Sequence, residues 1–415
     1  MPSLKQPSIV SEHAITMVLS VDNLNNDIHF RKGEDTIRNG VYSISDANYK
    51  RLKYPAWTPT WDPKHQMAFS NPKPFKHTDR GYFGDPTFDS LLSGSEVKTR
   101  KISPKLGTEV SGVQLSSLTS RQKDDLALLV EQRGLVVFRG QDFKDQSFED
   151  IKEWGRYFGP LHVHPTSGAP LGHPEFHITF RRGSKDEAKH TFANKLNNIT
   201  WHSDVTYENQ TPGITLFGML QTDVGGDTQF LDTIEAYERL SPTMQKLLDG
   251  LQVLHTSRDQ ANNARNQGGI ERKTAVESIH PLVRYHPVLK KKALFVNRNF
   301  SRRILGMKEE ESDVLLSFLV KHIETCLDAH VRAQWDENTI VVWDNRRLLH
   351  TATLDWDDDN LRHAFRVTTL AERPVGSEEE FNEWTEEIEE QKLKNAEEDL
   401  SLRPYEYYEK YYETK

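Results

Sequence analysis

His202 and Asp204 stand two apart in Trp201-His202-Ser203-Asp204, and a third histidine, His350, follows an apolar run and the turn-like Asp344-Asn345. Side chains at i and i+2 of an extended segment emerge on one face, and Thr200 to Tyr207 reads as such a segment, so an imidazole and a carboxylate could reach one ion. With His350 as third ligand, two histidines and one carboxylate leave half an octahedron open, the arrangement of non-haem Fe(II) oxygenases. A structural zinc site would close its coordination instead. Read as spacing alone, the same three residues also fit core or surface histidines. Cys326 is the sole cysteine. No disulfide or thiolate cluster can therefore form within the chain, and any metal must use histidine and carboxylate.

Three other His-x-acid pairs compete. His322 and Glu324 fall in a helical pattern, where residues two apart point roughly 200° away from each other and cannot share an ion. His77/Asp79 and His173/Glu175 lie in loop-like sequence with no strand to hold them, and read as exposed polar groups.

A second constellation is cationic. In Arg362-His363-Ala364-Phe365-Arg366-Val367-Thr368 a period of two puts both arginines on one face with small residues between them. A guanidinium inside a protein is costly unless an anion or an acid pairs with it, so this face predicts anionic ligands or acids elsewhere in the core. Gly225-Gly226-Asp227-Thr228 adds a tight turn followed by a hydroxyl.

Regular elements must position these groups. Thr119 or Ser120 can cap a helix with Leu126, Leu129 and Val130 on its apolar stripe and Gly134 at its end. Further helices are expected at 148–158, 234–240, 242–248 and 312–326. Strands are expected at 135–138, 215–220, 293–296, 339–343 and 364–370. The order lacks regular βα alternation, an internal repeat, a G-x-G-x-x-G or a Walker A loop, which disfavours a TIM barrel or a Rossmann sheet. Residues 1–100 are rich in proline turns and aromatics, including Trp57, Trp61, Tyr82 and Phe83, and are expected to form an irregular extension packing its rings on the body, without chemistry of its own.

The chain has 415 residues, 36% of them hydrophobic, and a net charge of −9 that lies entirely within residues 377–415. A neutral body with an acidic tail gives no footprint for nucleic acid or an anionic membrane. No run of eighteen apolar residues occurs. The short apolar run Ala14 to Val21 is flanked by Glu12, His13 and Asp22 and is not read as a secretory signal, so a cytoplasmic location is expected. The tail reads as a solvated helix with Phe381, Trp384 and Ile388 as its packed stripe, followed by a cluster of tyrosines.

Taken together, Trp201 to Tyr207, Gly225 to Thr228, Trp343 to Arg346, His350, Arg362 and Arg366 resemble the 2-oxoglutarate-dependent dioxygenases related to taurine dioxygenase and 2,4-dichlorophenoxyacetate dioxygenase. The intervals fit that pattern, with 23 residues between Asp204 and Thr228, 121 between Thr228 and His350, and 11 between His350 and Arg362. Leu106 to Gly112, Phe158 to Pro165 and His280 to Pro287 also resemble family segments, so the likeness spans about 101 to 376. Within the family the chain looks most similar to the fungal sulfonate dioxygenases.

The resemblance implies an α+β protein with a mainly β core, a double-stranded β-helix or jelly-roll barrel flanked by helices, spanning 101–376 between the extension and a 377–415 tail. It implies Fe(II) on His202, Asp204 and His350, with 2-oxoglutarate and O2 as co-substrates. Arg362, assisted by Thr228, would hold the distal carboxylate of 2-oxoglutarate. Arg366 matches the arginine that grips the sulfonate, while His164, Asn198 and Phe300 match other substrate-pocket positions. The implied reaction hydroxylates the carbon bearing sulfur and releases sulfite and an aldehyde, with a small anionic organic substrate and a homo-oligomeric enzyme. Ser167 stands where taurine dioxygenase presents a tyrosine, so a taurine preference does not carry over. An alkyl sulfate, an aryloxy acid or xanthine, or a catalytically inactive barrel acting as a binding module, are the alternatives.

Overall fold

The computed structural model describes residues 29–182, 200–356 and 361–413. Its largest sheet has seven strands, in the order Lys98–Lys101, Thr108–Ser111, Leu135–Phe138, Ile340–Asp344, Pro212–Gln221, Arg362–Leu370 and Phe176–Arg181. All neighbours are antiparallel except Thr108–Ser111 with Leu135–Phe138. A three-stranded antiparallel sheet holds Thr228–Asp232 between His330–Ala333 and Leu348–Ala352.

Alternation along the strands explains how the two sheets meet. Leu135, Val137, Phe217, Met219, Val341, Trp343 and Ala364 of the large sheet pack with Phe230, Val331, Ala333 and Leu348 of the small one. The intervening residues, Val136, Phe138, Leu216, Ile340, Val342, Phe365 and Val367, face the other way and pack with Leu126, Leu129, Val130, Ile151 and Trp154. Strands buried on both faces read as continuous apolar runs, which is why these four-to-six-residue runs were recognisable in the sequence. The helix at Ser120–Arg133 begins with a Thr119/Gln122 capping box and ends at Gly134, whose φ is +73°. A Cβ there would stand 2.5 Å from Leu106 Cδ1, so only glycine fits.

A second lobe lies beside the sheets. Strands Glu277–Pro281, Gln252–Thr256 and Ser301–Ile304 pair in that order, the hairpin Val283–His286/Lys291–Leu294 lies alongside, and helix Glu309–Glu324 packs Leu316, Leu319, Val320 and Ile323 into a cluster shared with Val253, Leu294 and Ile304 and with Leu231 and Leu349 of the three-stranded sheet. No helix among the described residues is long and apolar enough to cross a membrane.

The N-terminal residues pack by more than their rings. Trp57 lies 4.4 Å from Phe365 and Trp61 Nε1 donates to Thr166 O at 3.0 Å, but Tyr82 and Phe83 are half exposed. That stretch is instead fastened through acids on the Ser120–Arg133 helix: Asp124 accepts from Arg80, and Asp125 accepts from Asp85 N and Ser90 Oγ. The reading of Asp79 as an exposed loop acid is corrected, because it is 6% exposed and ion-paired with Arg346. Ile388 is likewise exposed, and the tail docks through Glu389 on Arg373 and through Tyr407.

Candidate active site

His202 and His350 meet through their backbones. His202 N donates to His350 O at 3.1 Å and His350 N to His202 O at 2.8 Å, forming an isolated antiparallel bridge at the middle residue of the Leu348–Ala352 strand. The expectation of an extended Thr200 to Tyr207 is corrected here. The chain turns over residues 204–207, with Val205 at φ +41°, a conformation that strains a β-branched residue by about 1–3 kcal/mol. That turn, not strand alternation, aims Asp204 at the two imidazoles. Asn345 clamps it, accepting from Asp204 N at 2.8 Å and donating to Asp204 O at 3.0 Å.

One ligand atom from each of the three side chains lies within 4.8 Å of the others. His202 Nε2 and His350 Nε2 are 3.8 and 3.7 Å from Asp204 Oδ1. The ring proton of His202 is directed to Thr200 O at 2.9 Å by its Nδ1, which leaves the Nε2 lone pair for a cation. Burial and Arg366 push both histidines toward neutrality, with His202 lowering His350 further and Asp204 opposing the effect at His202. Asp204 Oδ2 and both nitrogens of His350 are buried without a hydrogen-bond partner. Buried ligand atoms left without a hydrogen-bond partner in this way fit a divalent metal.

His77, Asp79 and Glu372 meet the same spacing but fail the same test. Asp79 already accepts from Gly81 N and Arg346, and Glu372 from Arg284 and Arg346. A guanidinium occupies the place of the cation.

The metal-competent trio opens into a pocket lined also by His164, Phe217, Thr228, Phe300, Trp343, Arg362 and Arg366. Eight of the nine residues expected from the sequence thus share one cavity; the ninth, Asn198, lies outside the described residues. Arg362 and Arg366 face inward from the same strand, their guanidinium carbons each 5.5 Å from the Phe217 ring centroid. Arg366 Nη1 donates to Asp204 Oδ1 at 2.5 Å. The acid-pairing alternative therefore describes Arg366 here, and its acid is Asp204 of the metal-competent trio. Thr228 Oγ1 accepts from Trp335 Nε1 at 3.1 Å, and the turn before it needs glycine at Gly226, whose φ is +70° and where a Cβ would stand 3.1 Å from Arg181 Nη1.

A profile described as "Taurine catabolism dioxygenase TauD, TfdA family" matches residues 98–368. The chain belongs to the TauD/TfdA dioxygenase family. Among its relatives, an alpha-ketoglutarate-dependent sulfonate dioxygenase of Saccharomyces cerevisiae is 46% identical over 357 residues, covering 85% of this chain and 86% of that protein. The alpha-ketoglutarate-dependent dioxygenase cnsM of Penicillium expansum is 40% identical, covering 78% and 91%. A crystal structure of a taurine dioxygenase from Burkholderia xenovorans superposes with a TM-score of 0.54 at 27% identity, over 68% of this chain and 93% of that one.

For a TauD/TfdA dioxygenase, much of the supporting framework escaped the sequence reading. His164 is held from below, its carbonyl accepting from the buried guanidinium of Arg272 at 3.0 Å. The buried triad His162, Glu208 and Lys273 ties the segment before His164 to the one after Asp204. Burial would raise the Glu208 carboxyl, but Lys273 and His162 outweigh it and hold it at about 2. His177 and Thr179 line the pocket from strand Phe176–Arg181, which was not expected as a strand at all. The signal was present as the alternation His177, Thr179, Arg181, polar on one face and apolar on the other. Residues Arg258–Asn266 form a helix, and its Gln260 also lines the pocket.

Proposed function

We propose that this chain is an Fe(II)- and 2-oxoglutarate-dependent dioxygenase that oxidises alkyl sulfonates, releasing sulfite. The observation that carries this reading is the convergence of two neutral imidazoles and a carboxylate at a pocket with two inward arginines on one strand. The names of the yeast relative and of the matched family support the substrate class. In this reading the facing sheets form a double-stranded β-helix within a catalytic unit at 101–376, flanked by the 1–100 extension and the 377–415 tail. The enzyme is placed in the cytosol as a homo-oligomer acting on small anions, with no nucleic-acid or membrane partner.

His202, Asp204 and His350 would hold Fe(II), which supplies the activation of O2 that converts a C–H bond to C–OH when 2-oxoglutarate is consumed. Arg362 binds the distal carboxylate of 2-oxoglutarate beside the Thr228 hydroxyl, and Arg366 with His164 binds the sulfonate. Asn198 and Phe300 complete the substrate side. Phe217, Trp343 and Phe300 exclude water around the reacting carbon. Once that carbon carries a hydroxyl, its proton leaves, the C–O bond becomes C=O, and the C–S pair departs with sulfite. One sulfonate, one 2-oxoglutarate and one O2 thus give an aldehyde, sulfite, succinate and CO2.

Turnover of a sulfonate panel tests the reading, with sulfite and succinate expected in equal amounts. Succinate with sulfate, from an alkyl sulfate alone, or succinate with neither, from an aryloxy acid or xanthine, would overturn the substrate. No succinate with any of them would point to an inactive barrel. The two arginines should separate kinetically: Arg362→Ala is expected to raise the KM for 2-oxoglutarate by about 10- to 100-fold, and Arg366→Ala to raise that for the sulfonate similarly, each leaving the other KM largely unchanged. Titrating both variants against both ligands checks the assignment.

A further inference from the structure

Strand Phe176–Arg181 pairs with Arg362–Leu370 so that His177 lies directly opposite Arg366. Residues opposed in an antiparallel pair share a face, and both side chains line the same pocket. His177 is 8% exposed, yet its Nε2 has no hydrogen-bond partner, a condition that is costly in a buried group unless a ligand supplies the partner. Its ring centroid is 4.6 Å from that of His164. None of the roles assigned above uses it.

The neighbouring ring is locked. His164 Nδ1 accepts from Thr166 N at 3.2 Å and from Ser167 N at 3.0 Å, so in the neutral ring the proton must sit on Nε2, which becomes a donor. Burial keeps His164 neutral, reinforced by the charge His177 would carry, and burial together with Arg366 keeps His177 neutral. Each ring therefore offers one N–H without adding charge. The guanidinium of Arg366 is the cation of this corner, with Asp204 at its side.

We infer that His177 is a specificity-determining residue that, with Arg366 and the His164 Nε2–H, forms a three-donor cradle for a monoanionic head group with three oxygens. This rests on the proposed sulfonate reaction and deepens it. A sulfonate carries a single negative charge spread over three pyramidal oxygens, one for each donor. A carboxylate has two oxygens in one plane and leaves a buried donor unpaired, a mismatch that a site built for hydrogen bonding rejects strongly.

The test uses the full chain supplied with Fe(II) and 2-oxoglutarate, with an alkyl sulfonate and the carboxylate of the same carbon skeleton as paired probes. His177→Leu is expected to raise the sulfonate KM about 10- to 100-fold, leave the KM for 2-oxoglutarate unchanged, and lower the preference for sulfonate over carboxylate. His177→Asn, which returns an amide donor, should recover most of the loss. Calorimetric titration of the sulfonate under anaerobic conditions gives the same comparison without turnover. If wild type turns over sulfonates and His177→Leu, or His177→Ala where the leucine variant does not fold, keeps both the wild-type KM and the wild-type preference for sulfonate, the cradle is overturned while the function stands. A leucine variant matching wild type, or an asparagine variant no better than leucine, are those outcomes. If wild type turns over no sulfonate, the function falls and the cradle with it.

Discussion

His350→Ala is expected to abolish turnover, on the order of 10³-fold or more in kcat/KM, while leaving the protein folded. The two halves of this expectation have separate physical origins. The contact between His202 and His350 that organises the site is made by backbone N–H and C=O groups, which alanine retains. Neither nitrogen of the His350 ring has a partner, so truncation breaks no hydrogen bond. What remains is the loss of packing against Phe230 and Trp343, whose ring centroids lie 5.9 and 5.3 Å away. A metal-binding titration should show the Fe(II) affinity falling with activity, while the thermal midpoint shifts by only a few degrees. Retained turnover would show that a different trio holds the metal.

Replacing Arg346 by leucine is expected to destabilise the fold by about 3–5 kcal/mol, the cost of leaving buried acids without their cation. Arg346 is fully buried and reaches Glu131 at 2.8 Å, Asp344 at 2.8 Å, Glu372 at 3.3 Å and also Asp79. The four acids come from the N-terminal stretch, the Ser120–Arg133 helix, the Ile340–Asp344 strand and the segment that follows the Arg362–Leu370 strand. One side chain therefore fastens four parts of the chain. Arg284 pairs with Glu372 and His286 with Asp344, but neither replaces a guanidinium at the centre.

The pH dependence of that loss has a definite sign. Burial alone would raise Asp79, Asp344 and Glu372, but Arg346 outweighs it and holds all three below the usual carboxylate range. Groups with depressed folded values contribute stability above their unfolded values, near pH 4, and lose it as pH falls through the folded ones. The gap between Arg346→Leu and wild type should thus be widest near neutrality and narrow below about pH 4. Glu131 has the opposite sign: burial and the Asp79 charge push it well up, so it favours folding while protonated and ceases to as pH rises through its folded value. Urea unfolding of both proteins across pH 3 to 8 measures this, and a constant gap would contradict the assigned charges.

Near neighbours in the chain made some features legible. The cap at Thr119, the stop at Gly134 and the apolar runs at 135–138 and 339–343 depend on contacts within a few residues, and these elements lie where the pattern puts them. The inward pairing of Arg362 and Arg366 follows from a period of two. Other features depend on who packs against whom. Asp79 looked like a loop acid because its partner, Arg346, is 267 residues away. His177 looked unremarkable because its meaning comes from a register with Arg366, set by sheet pairing that no local pattern encodes.

The sequence by itself determined which chemistry was available: a cysteine-poor chain with one well-placed His-x-Asp, a later histidine and two arginines on one strand face. Only the tertiary structure decided how those groups meet. His202 and His350, 148 positions apart in the sequence, are joined by a backbone bridge, and a strained turn at Val205 swings Asp204 toward them. Side-chain type is a property of single residues and survives in the sequence. Convergence is set by sheet register and by buried ion pairs, whose energies depend on distances between segments that only folding brings together.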